Sequence, residues 1–413
     1  YNDDVGGNYG RVRVFQYIGT TWTQMGGNLY GDNLMTDSFA YRQIALNGLG
    51  NRIAVGSTKS DGTGAAYGGT PSDYAGSVFV FEYDGTDWIQ MGQIIDGEVT
   101  LDQSGSSVSL NSDGTIVAIG TTGNDGTATT GNYGHVRIYQ YDSINDIWNQ
   151  LGQDIDGEAY SDNFGYSVSL SSDGTIVAIG GPYNEGTTTD DAGHVRVYQY
   201  DSSNDIWNQV GNDIDGEAVD DKSGWSVSIN GDGTIVAIGS IYNDGTATTG
   251  DSGHVRIYQY DSGNDIWNQL GQDIDGEAAG DDCGSSVSIS SDGTIVAIGA
   301  PDNRGIGVAY YIGHVRVYKY DSGNDIWNLV SEIEGGAASD YFGAANRMAM
   351  NDNGTRIIIG DFFYNGGAGV SSGGAHVVEL EHTTVVTPIY QKIHSDVDSS
   401  GTFSTDISLN NTM

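Results

Sequence analysis

The sequence predicts an all-β fold made of repeated four-stranded antiparallel sheets, and three observations lead to it. A core that reads GYSVSLSSDGTIVAIG at 165–180 recurs about every sixty residues, with near-copies from Gly105, Gly224 and Gly284. Each core is followed by a GHVRVYQY-like segment and then by a DIWNQLG-like segment. The apolar residues thus fall in four short runs per repeat, separated by Gly, Asp, Asn and Ser, which is typical of strands and turns.

The repeat that begins at Gly165 shows how each run becomes a strand. Val168 and Leu170 alternate with serines, which indicates a strand with two different faces. The turn residues at 171–174 then lead into the apolar run 176–179, which is expected where both faces of a strand are covered. The third strand is predicted at 194–200 and the fourth at 206–210, so the four strands form an antiparallel meander.

A single four-stranded sheet cannot bury both of its faces, but identical sheets stacked radially can, and this arrangement is a β-propeller. The tryptophans favour it, because six of them occupy one register of the fourth strand and are predicted to pack between neighbouring blades: Trp22, Trp88, Trp148, Trp207, Trp267 and Trp327.

The blade count rests on seven third strands and six second strands. We predict seven blades, the last of them shared by the N- and C-terminal segments; the alternative is six complete blades with extra terminal strands. The predicted units of one propeller over 1–413 are 1–36 (part of the closing blade), 37–98, 99–158, 159–217, 218–277, 278–336, 337–393 and 394–413, which belongs to the closing blade or starts a further segment.

Charge and composition exclude several partners. Fifteen basic and fifty-five acidic residues give a net charge of −40, which opposes binding to nucleic acid or to anionic lipid. Cys283 is the only cysteine, so no intrachain disulfide can form. No apolar run is long enough to span a membrane, and the start at Tyr1 predicts a processed or excerpted chain.

The unit resembles the FG-GAP repeat, the blade of integrin α-chain heads. Phe164-Gly165 and Phe342-Gly343 match the first half of that name, and Gly299-Ala300-Pro301 matches the second. The resemblance covers nearly the whole chain and implies a propeller, usually of seven blades, that works in extracellular recognition or adhesion. The family's calcium loop is not carried over, because its counterpart at 111–114 is too short and has one carboxylate.

A different acidic element recurs and predicts a possible calcium site, because carboxylates at alternating positions around a glycine can supply oxygen ligands. The structural alternative is that the Asp three residues before each repeat glycine accepts backbone N–H bonds and fixes a turn. The candidate metal ligands are Asp154, Asp156, Glu158, Asp162, Asp213, Asp215, Glu217, Asp221, Asp273, Asp275, Glu277 and Asp281.

The loops between second and third strands vary most between repeats, and variable loops on a rigid scaffold usually carry specificity. They share an acidic face with the linkers between blades. The aromatic residues near them are candidates for contact with a ligand: Tyr67, Tyr74, Tyr310, Tyr311, Phe362, Phe363 and Tyr364.

The sequence contains no HExxH or P-loop pattern, and most of its polar residues are repeated. We therefore expect a non-enzymatic propeller, located outside the cell or at a cell or particle surface, that binds a protein or glycan partner or copies of itself through the acidic face. One alternative is a filament or appendage subunit assembled by strand addition at the incomplete blade. The other is a carbohydrate-active enzyme.

Overall fold

The computed structural model describes residues 11–19, 21–30, 39–60, 74–125, 131–185, 191–245, 250–304, 311–335, 341–344, 348–361, 374–380 and 389–393. Within these ranges every regular element is a strand, and there is no helix that could cross a membrane. The chain divides into two compact units, unit 1 at Tyr1–Asp213 and unit 2 at Ile214–Met413.

The strands of unit 1 are β1 (Arg11–Val12), β2 (Phe15–Ile18), β3 (Thr21–Gln24), β4 (Leu29–Tyr30), β5 (Phe39–Leu46), β6 (Arg52–Ser57), β7 (Ser77–Tyr83), β8 (Trp88–Gln90), β9 (Ile95–Asp96), β10 (Ser104–Leu110), β11 (Ile116–Thr121), β12 (His135–Asp142), β13 (Ile147–Gln150), β14 (Ile155–Asp156), β15 (Ser167–Leu170), β16 (Ile176–Gly181), β17 (His194–Asp201) and β18 (Ile206–Gln209).

The strands of unit 2 are β19 (Ile214–Asp215), β20 (Ser223–Ile229), β21 (Ile235–Ser240), β22 (His254–Asp261), β23 (Ile266–Gln269), β24 (Ile274–Asp275), β25 (Ser286–Ile289), β26 (Ile295–Ala300), β27 (His314–Asp321), β28 (Ile326–Glu334), β29 (Met348–Met350), β30 (Arg356–Asp361), β31 (Gly374–Glu379) and β32 (Ile389–Ile393).

Each repeat forms one antiparallel meander, as the sequence predicts. Unit 1 holds the meanders β5-β6-β7-β8, β10-β11-β12-β13 and β15-β16-β17-β18, and unit 2 holds β20-β21-β22-β23, β25-β26-β27-β28 and β29-β30-β31-β32. We number them sheets 1 to 6. The fold is a β-propeller with these sheets as its blades.

The described part of the chain contains six such blades, which agrees with the alternative of six complete blades and extra terminal strands. The extra strands precede sheet 1, where β1 pairs with β4 and β2 pairs with β3. The C-terminal segment 394–413, which the seven-blade prediction places in the closing blade, lies outside the described residues.

The core lies between consecutive sheets because the second strand of each of sheets 1 to 5 buries both faces. In β11 the side chains of Val117 and Ile119 pack into the cluster shared with sheet 1, whereas Ile116 and Ala118 pack into the cluster shared with sheet 3. The continuous apolar run of this strand is thereby explained. In unit 2, equivalent clusters join sheet 4 to sheet 5 and sheet 5 to sheet 6.

The repeated tryptophans link successive blades, as predicted. The indole N–H of Trp148 donates to the carbonyl of Met91, 2.9 Å away, and that of Trp207 donates to the carbonyl of Leu151 at 2.8 Å. In unit 2, Trp327 donates in the same way to Leu270 at 2.8 Å. Each of these three buried indoles is thus hydrogen-bonded to the preceding repeat.

The innermost strands approach so closely that only glycine fits. A Cβ atom added to Gly120 would lie 2.0 Å from the carbonyl oxygen of Gly165. That same oxygen accepts a hydrogen bond of 2.7 Å from the hydroxyl of Ser107. The glycine at the end of the IVAIG segment is therefore required by packing between blades.

Candidate active site

A repeated backbone bridge connects consecutive blades and places two side chains next to each other. An isolated parallel bridge joins the glycine before a third strand to the residue before the next repeat's core glycine: Gly76 to Ser104, Gly134 to Phe164, Gly253 to Cys283 and Gly313 to Phe342. We call the residues that flank these bridges the bridge pairs. They are Tyr74–Gln103, Asn132–Asn163, Asp251–Asp282 and Tyr311–Tyr341.

The backbone of the bridge pairs is constant while their side chains change. The second member has a positive φ in all four pairs, namely 57° at Gln103, 51° at Asn163, 54° at Asp282 and 52° at Tyr341. The same backbone thus presents an amide, a carboxylate or a phenol depending on the blade. A rigid frame with exchangeable side chains is the arrangement from which binding sites are usually built.

The Asp251–Asp282 pair in unit 2 is the most unusual chemically. Burial, together with the negative charges of Asp302, Asp251 and Asp281, raises the pKa of Asp282 to about 7. This carboxyl therefore exchanges its proton near neutral pH, the property expected of a general acid or base. No sister position holds a carboxyl: the residues there are Gln103, Asn163, Lys222 and Tyr341.

Asp281 fixes the position of these carboxyls. Its side chain accepts hydrogen bonds of 2.9 Å from the backbone N–H of Ala278 and from the amide of Asn303. Its carbonyl accepts a bond of 3.3 Å from the backbone N–H of Asp302. The loop that carries Asp282 is thereby tied to the loop that carries Asp302.

Asp302 is a second carboxyl with altered acidity. Burial and the charge of Asp281 raise its pKa, and the positive charge of Arg304 opposes that shift. The equivalent position holds Tyr242 in sheet 4 and Tyr183 in sheet 3. Asp302 is thus particular to this blade.

Arg304 reverses the charge found at its position in the other repeats, where the residues are Asp125, Glu185 and Asp244. It is exposed, its guanidinium carbon lies 5.0 Å from the ring centre of Tyr311, and its Nη2 donates to the Tyr311 hydroxyl at 3.2 Å. We call Asp251, Asp282, Asp302, Arg304, Tyr311 and Tyr341 the Asp282 cluster.

A cavity of about 340 Å³ in unit 2 shares Asp251 with this cluster. Its wall is acidic, and no lysine or arginine is found among the described residues that line it. The carboxylates of the wall are Glu217, Asp220, Asp221, Asp244, Asp251, Asp273 and Asp275.

Half of the predicted metal ligands belong to four groups, each made of two acids and a histidine. The ligand atoms of each group lie within 4.8 Å of one another, so each group could hold a metal ion. The groups are Glu98–His135–Asp154, Glu158–His194–Asp213, Glu217–His254–Asp273 and Glu277–His314–Glu332.

An arginine lies at each of these groups and pairs with one or both of its carboxylates. Arg256 pairs with Glu217 and donates to both oxygens of Asp273, at 2.9 and 2.8 Å. Arg196 pairs with Glu158 and with Asp213, and Arg316 lies 3.6 Å from Glu277. These five carboxylates are thus paired with guanidinium groups, which is the geometry of a charge-assisted hydrogen-bond network.

Two histidines of these groups, His135 and His314, are buried and neutral. Burial lowers the pKa of His135 to about 4, and the nearby charge of Arg137 lowers it further. Burial and then Arg316 lower the pKa of His314 to about 3. At neutral pH these rings carry no charge.

Other predicted metal ligands fix turns. The Oδ2 atom of Asp162 accepts bonds from the backbone N–H groups of Glu158 at 3.1 Å and Ala159 at 2.8 Å, and from the amide of Asn184 at 3.0 Å. Asp221 and Asp281 accept equivalent backbone bonds. In the described residues the repeated Asp therefore accepts backbone N–H bonds and fixes a turn, which is the structural alternative to a metal ligand.

The remaining predicted acidic residues lie on short strands. Asp156, Asp215 and Asp275 end the two-residue strands β14, β19 and β24. Asp154, which belongs to the group with His135, also accepts a bond of 2.6 Å from the side chain of Gln150.

Of the predicted aromatic contacts, Tyr74 and Tyr311 belong to bridge pairs. The others, Tyr67, Tyr310, Phe362, Phe363 and Tyr364, lie outside the described residues. The sequence reasoning missed Asp282, Asp302 and Arg304. An alignment of the repeats contains the signal that would have found them, because Arg304 alone replaces an acid that follows Asn in three sister loops.

Comparison with known proteins gives a fold and no family. No protein-family model and no curated protein sequence matches the chain. Among solved structures, a Bacteroides uniformis protein described as a 6-phosphogluconolactonase matches with a TM-score of 0.54 and 13% identity, covering 86% of this chain and 84% of its own.

Two further matches are of the same kind. The Pseudomonas aeruginosa periplasmic gluconolactonase PpgL has a TM-score of 0.52 and 14% identity, with 91% of each chain covered. A Bacteroides fragilis protein described as a 6-phosphogluconolactonase has a TM-score of 0.50 and 11% identity, with 89% of this chain and 86% of its own covered. The likeness establishes the propeller fold.

These matches overturn two predictions from the sequence, that the chain is a non-catalytic adhesion or filament propeller and that it is not an enzyme. The similar propellers are described as lactonases. The physical reason for the error is that most polar residues repeat, so the few that do not repeat had little weight in the pattern. The FG-GAP resemblance stays a prediction.

Proposed function

We propose that this protein is a hydrolase that opens an uncharged sugar lactone at the Asp282 cluster. The observation that carries the proposal is the placement of Asp282, a carboxyl that no sister blade repeats, beside Asp251, Asp281 and Asp302, whose charges and burial raise its pKa to about 7. A base poised near the working pH gives the best compromise between being deprotonated and being able to accept a proton. The lactonase descriptions of the three similar propellers support this class of reaction.

In the proposed reaction the Asp282 carboxylate takes a proton from a water molecule. The water oxygen forms a bond to the lactone carbonyl carbon, and the carbonyl oxygen becomes an oxyanion. When the tetrahedral intermediate collapses, the bond between the carbonyl carbon and the ring oxygen breaks. The ring oxygen then takes the proton back from Asp282, so that lactone and water give a hydroxy acid.

Arg304 and Asp302 have separate roles in this proposal. The Arg304 guanidinium supplies N–H donors on an otherwise acidic surface, and such donors stabilise a developing oxyanion. Asp302 lies close enough to Asp282 and Arg304 for its charge to act on both. The negative charge of Asp302 raises the proton affinity of Asp282 and offsets part of the positive charge of Arg304.

The charge of the protein favours an uncharged substrate. The chain carries a net charge of −40, and Asp251, Asp281 and Asp302 surround the proposed base. A phosphorylated lactone would be repelled by these groups, whereas an uncharged lactone would not. We therefore propose a substrate like the one named for PpgL, without a phosphate.

A location outside the cytoplasm forms part of the proposal. It is supported by the description of PpgL as periplasmic and by the strongly acidic composition. Glycans at such a location would be the source of the sugar substrate. A contact with other copies of the chain or with a surface protein is a separate proposal, made from the sequence. The FG-GAP resemblance is likewise a proposed relationship.

Calcium does not fit the four groups of acids and histidine. Calcium takes six to eight oxygen ligands, whereas each group offers two carboxylates and an imidazole beside a guanidinium. We therefore assign these carboxylates to ion pairs, and no step of the proposed reaction involves a metal.

The proposal is tested by following ring opening of glucono-1,5-lactone above the spontaneous rate. The wild-type protein is compared with Asp282→Asn, which keeps the shape and matches Asn163, the residue at the equivalent position with the same positive φ. Loss of the general base is expected to lower the rate by roughly 10²- to 10⁴-fold. The control is Asp191→Asn, which removes an acid from the position equivalent to Asp251 but in unit 1.

Two outcomes would contradict the proposal. One is a wild-type rate no greater than the spontaneous rate for glucono-1,5-lactone and for other uncharged aldonolactones. The other is an Asp282→Asn variant that is as active as the wild type.

A further inference from the structure

Tyr311 and Tyr341 form the only aromatic bridge pair among those described, and their rings are stacked. The ring centres are 5.9 Å apart and the planes are inclined by 24°. The backbone N–H of Phe342 donates to the carbonyl of Ile312 at 3.3 Å, which holds the two tyrosines next to each other. Both are half-buried, so part of this aromatic surface faces solvent.

Tyr341 adopts a backbone conformation that is unfavourable for a bulky residue. Its φ is 52°, in the left-handed region that Asn and Asp tolerate best and that aromatic residues rarely enter. The sister blades place Gln103, Asn163, Lys222 and Asp282 there, also with positive φ. Strain of this kind persists where the surrounding structure enforces it, and it is concentrated at binding sites.

Arg304 extends the tyrosine pair with a polar group. Its guanidinium carbon lies 5.0 Å from the Tyr311 ring centre, and its Nη2 donates to the Tyr311 hydroxyl at 3.2 Å. The guanidinium has five N–H donors in a planar fork, so it can donate further hydrogen bonds. Asp302, whose charge interacts with that of Arg304, provides carboxylate acceptors close by.

We propose that Tyr311, Tyr341 and Arg304 form a subsite for the pyranose ring of an uncharged sugar. The C–H face of such a ring is apolar and packs on an aromatic surface, while its hydroxyl groups both donate and accept hydrogen bonds. The subsite offers the aromatic surface on the tyrosines, donors on Arg304 and acceptors on Asp302. The proposal deepens the proposed function and rests on it for the identity of the sugar.

The subsite also determines specificity in this account. A phosphate or sulfate on the sugar would meet Asp302 beside Arg304 and the acidic groups around Asp282, and the cavity wall next to Asp251 is acidic as well. The subsite therefore favours an uncharged ring over an anionic one.

The test is calorimetric titration with glucono-1,5-lactam, an uncharged ring that cannot undergo lactone hydrolysis. Tyr341→Asn is expected to weaken lactam binding at least tenfold, because it removes half of the aromatic surface. Asn tolerates the positive φ, so this variant is expected to fold. The control is Tyr74→Asn, which changes another tyrosine of positive φ, 43°, in a bridge pair of unit 1. It should bind the lactam as the wild type does.

A second variant, Arg304→Gln, is expected to weaken the lactam as well. The subsite is refuted if the wild type binds no lactam at millimolar concentration, or if Tyr341→Asn binds it unchanged. If this surface instead bound a segment of a protein, the wild type would bind no lactam.

The lactam and the lactone separate the two proposals. Lactam binding that Tyr341→Asn weakens, with no lactone turnover, would support the subsite and remove the proposed function. Turnover that Tyr341→Asn leaves unchanged in both kcat and KM would remove the subsite and support the proposed function.

Discussion

Asp251 and Asp282 lie next to each other because the backbone on which they sit is bridged. The N–H of Cys283 donates to the carbonyl of Ser252 at 3.1 Å, and Gly253 pairs with Cys283 in a parallel bridge. The same bridge elsewhere carries Tyr74 with Gln103 and Asn132 with Asn163. Two carboxyls therefore meet at a place where the scaffold does not require any charge.

The first prediction concerns stability and pH. The pKa of Asp282 is raised from its usual 3.8 to about 7 in the folded protein, so between these values the folded state binds more protons than the unfolded state. The free energy of unfolding contributed by this group therefore falls as the pH rises through this window. Asp282→Asn should melt close to the wild type at about pH 4 and a few degrees above it at about pH 8. Thermal melts at both pH values check this.

The control for that prediction is Asn163→Gln, which changes the equivalent position between two groups that carry no charge and should differ from the wild type by the same amount at both pH values. An Asp282→Asn variant that is destabilised more at high pH than at low pH would contradict the account.

The second prediction concerns the arginines between blades. Arg256→Gln should lower the free energy of unfolding by about 1–3 kcal/mol, because it leaves Glu217 and Asp273 without their cation. Arg356→Gln is the matched control, since Arg356 and Glu379 form an exposed pair. Their side chains are 58% and 54% accessible to solvent. That change should cost about 0–1 kcal/mol. Urea unfolding measures both, and equal losses would argue against a structural role for Arg256.

The third prediction concerns metal removal. Because guanidinium groups pair with the carboxylates of the groups that contain His194, His254 and His314, a chelator should leave the melting temperature unchanged. A melt in the presence and absence of EDTA measures this. A fall of several degrees that added calcium reverses would show that these carboxylates hold a metal.

The fourth prediction concerns the tryptophans that link blades. Trp207→Phe should lower the free energy of unfolding by about 1–3 kcal/mol, because it leaves the carbonyl of Leu151 without its donor and removes packed atoms. Tyr200→Phe changes the neighbouring ring but keeps the indole, and it should cost less. Denaturant unfolding of the two variants compares them, and a smaller loss for Trp207→Phe would contradict the linking role.

The strands could be predicted because their periodicity is local. The four strands predicted from the repeat at Gly165 correspond to β15, β16, β17 and β18 within one or two residues. The two-residue strands such as β14 could not be predicted, because two residues contain no period. The predicted acidic elements proved to include these short strands, together with turns and ion pairs with arginine.

The site was harder to predict because its properties arise from contacts between distant parts of the chain. The pKa of Asp282 depends on burial and on Asp302 and Asp251, which belong to other loops. Repetition also misled the interpretation of function, since the shared residues build the scaffold. Arg304 is the residue whose departure from its sister positions could have indicated the site from sequence.

The most direct test of the central claim, that Asp282 is the base of a hydrolytic site, is the pH dependence of kcat/KM for glucono-1,5-lactone after subtraction of the spontaneous rate. The account predicts a rise with pH up to a midpoint near the pKa of about 7, a plateau above it, and the loss of this rise in Asp282→Asn. A profile without a midpoint near 7, or one that Asp282→Asn retains, would contradict it.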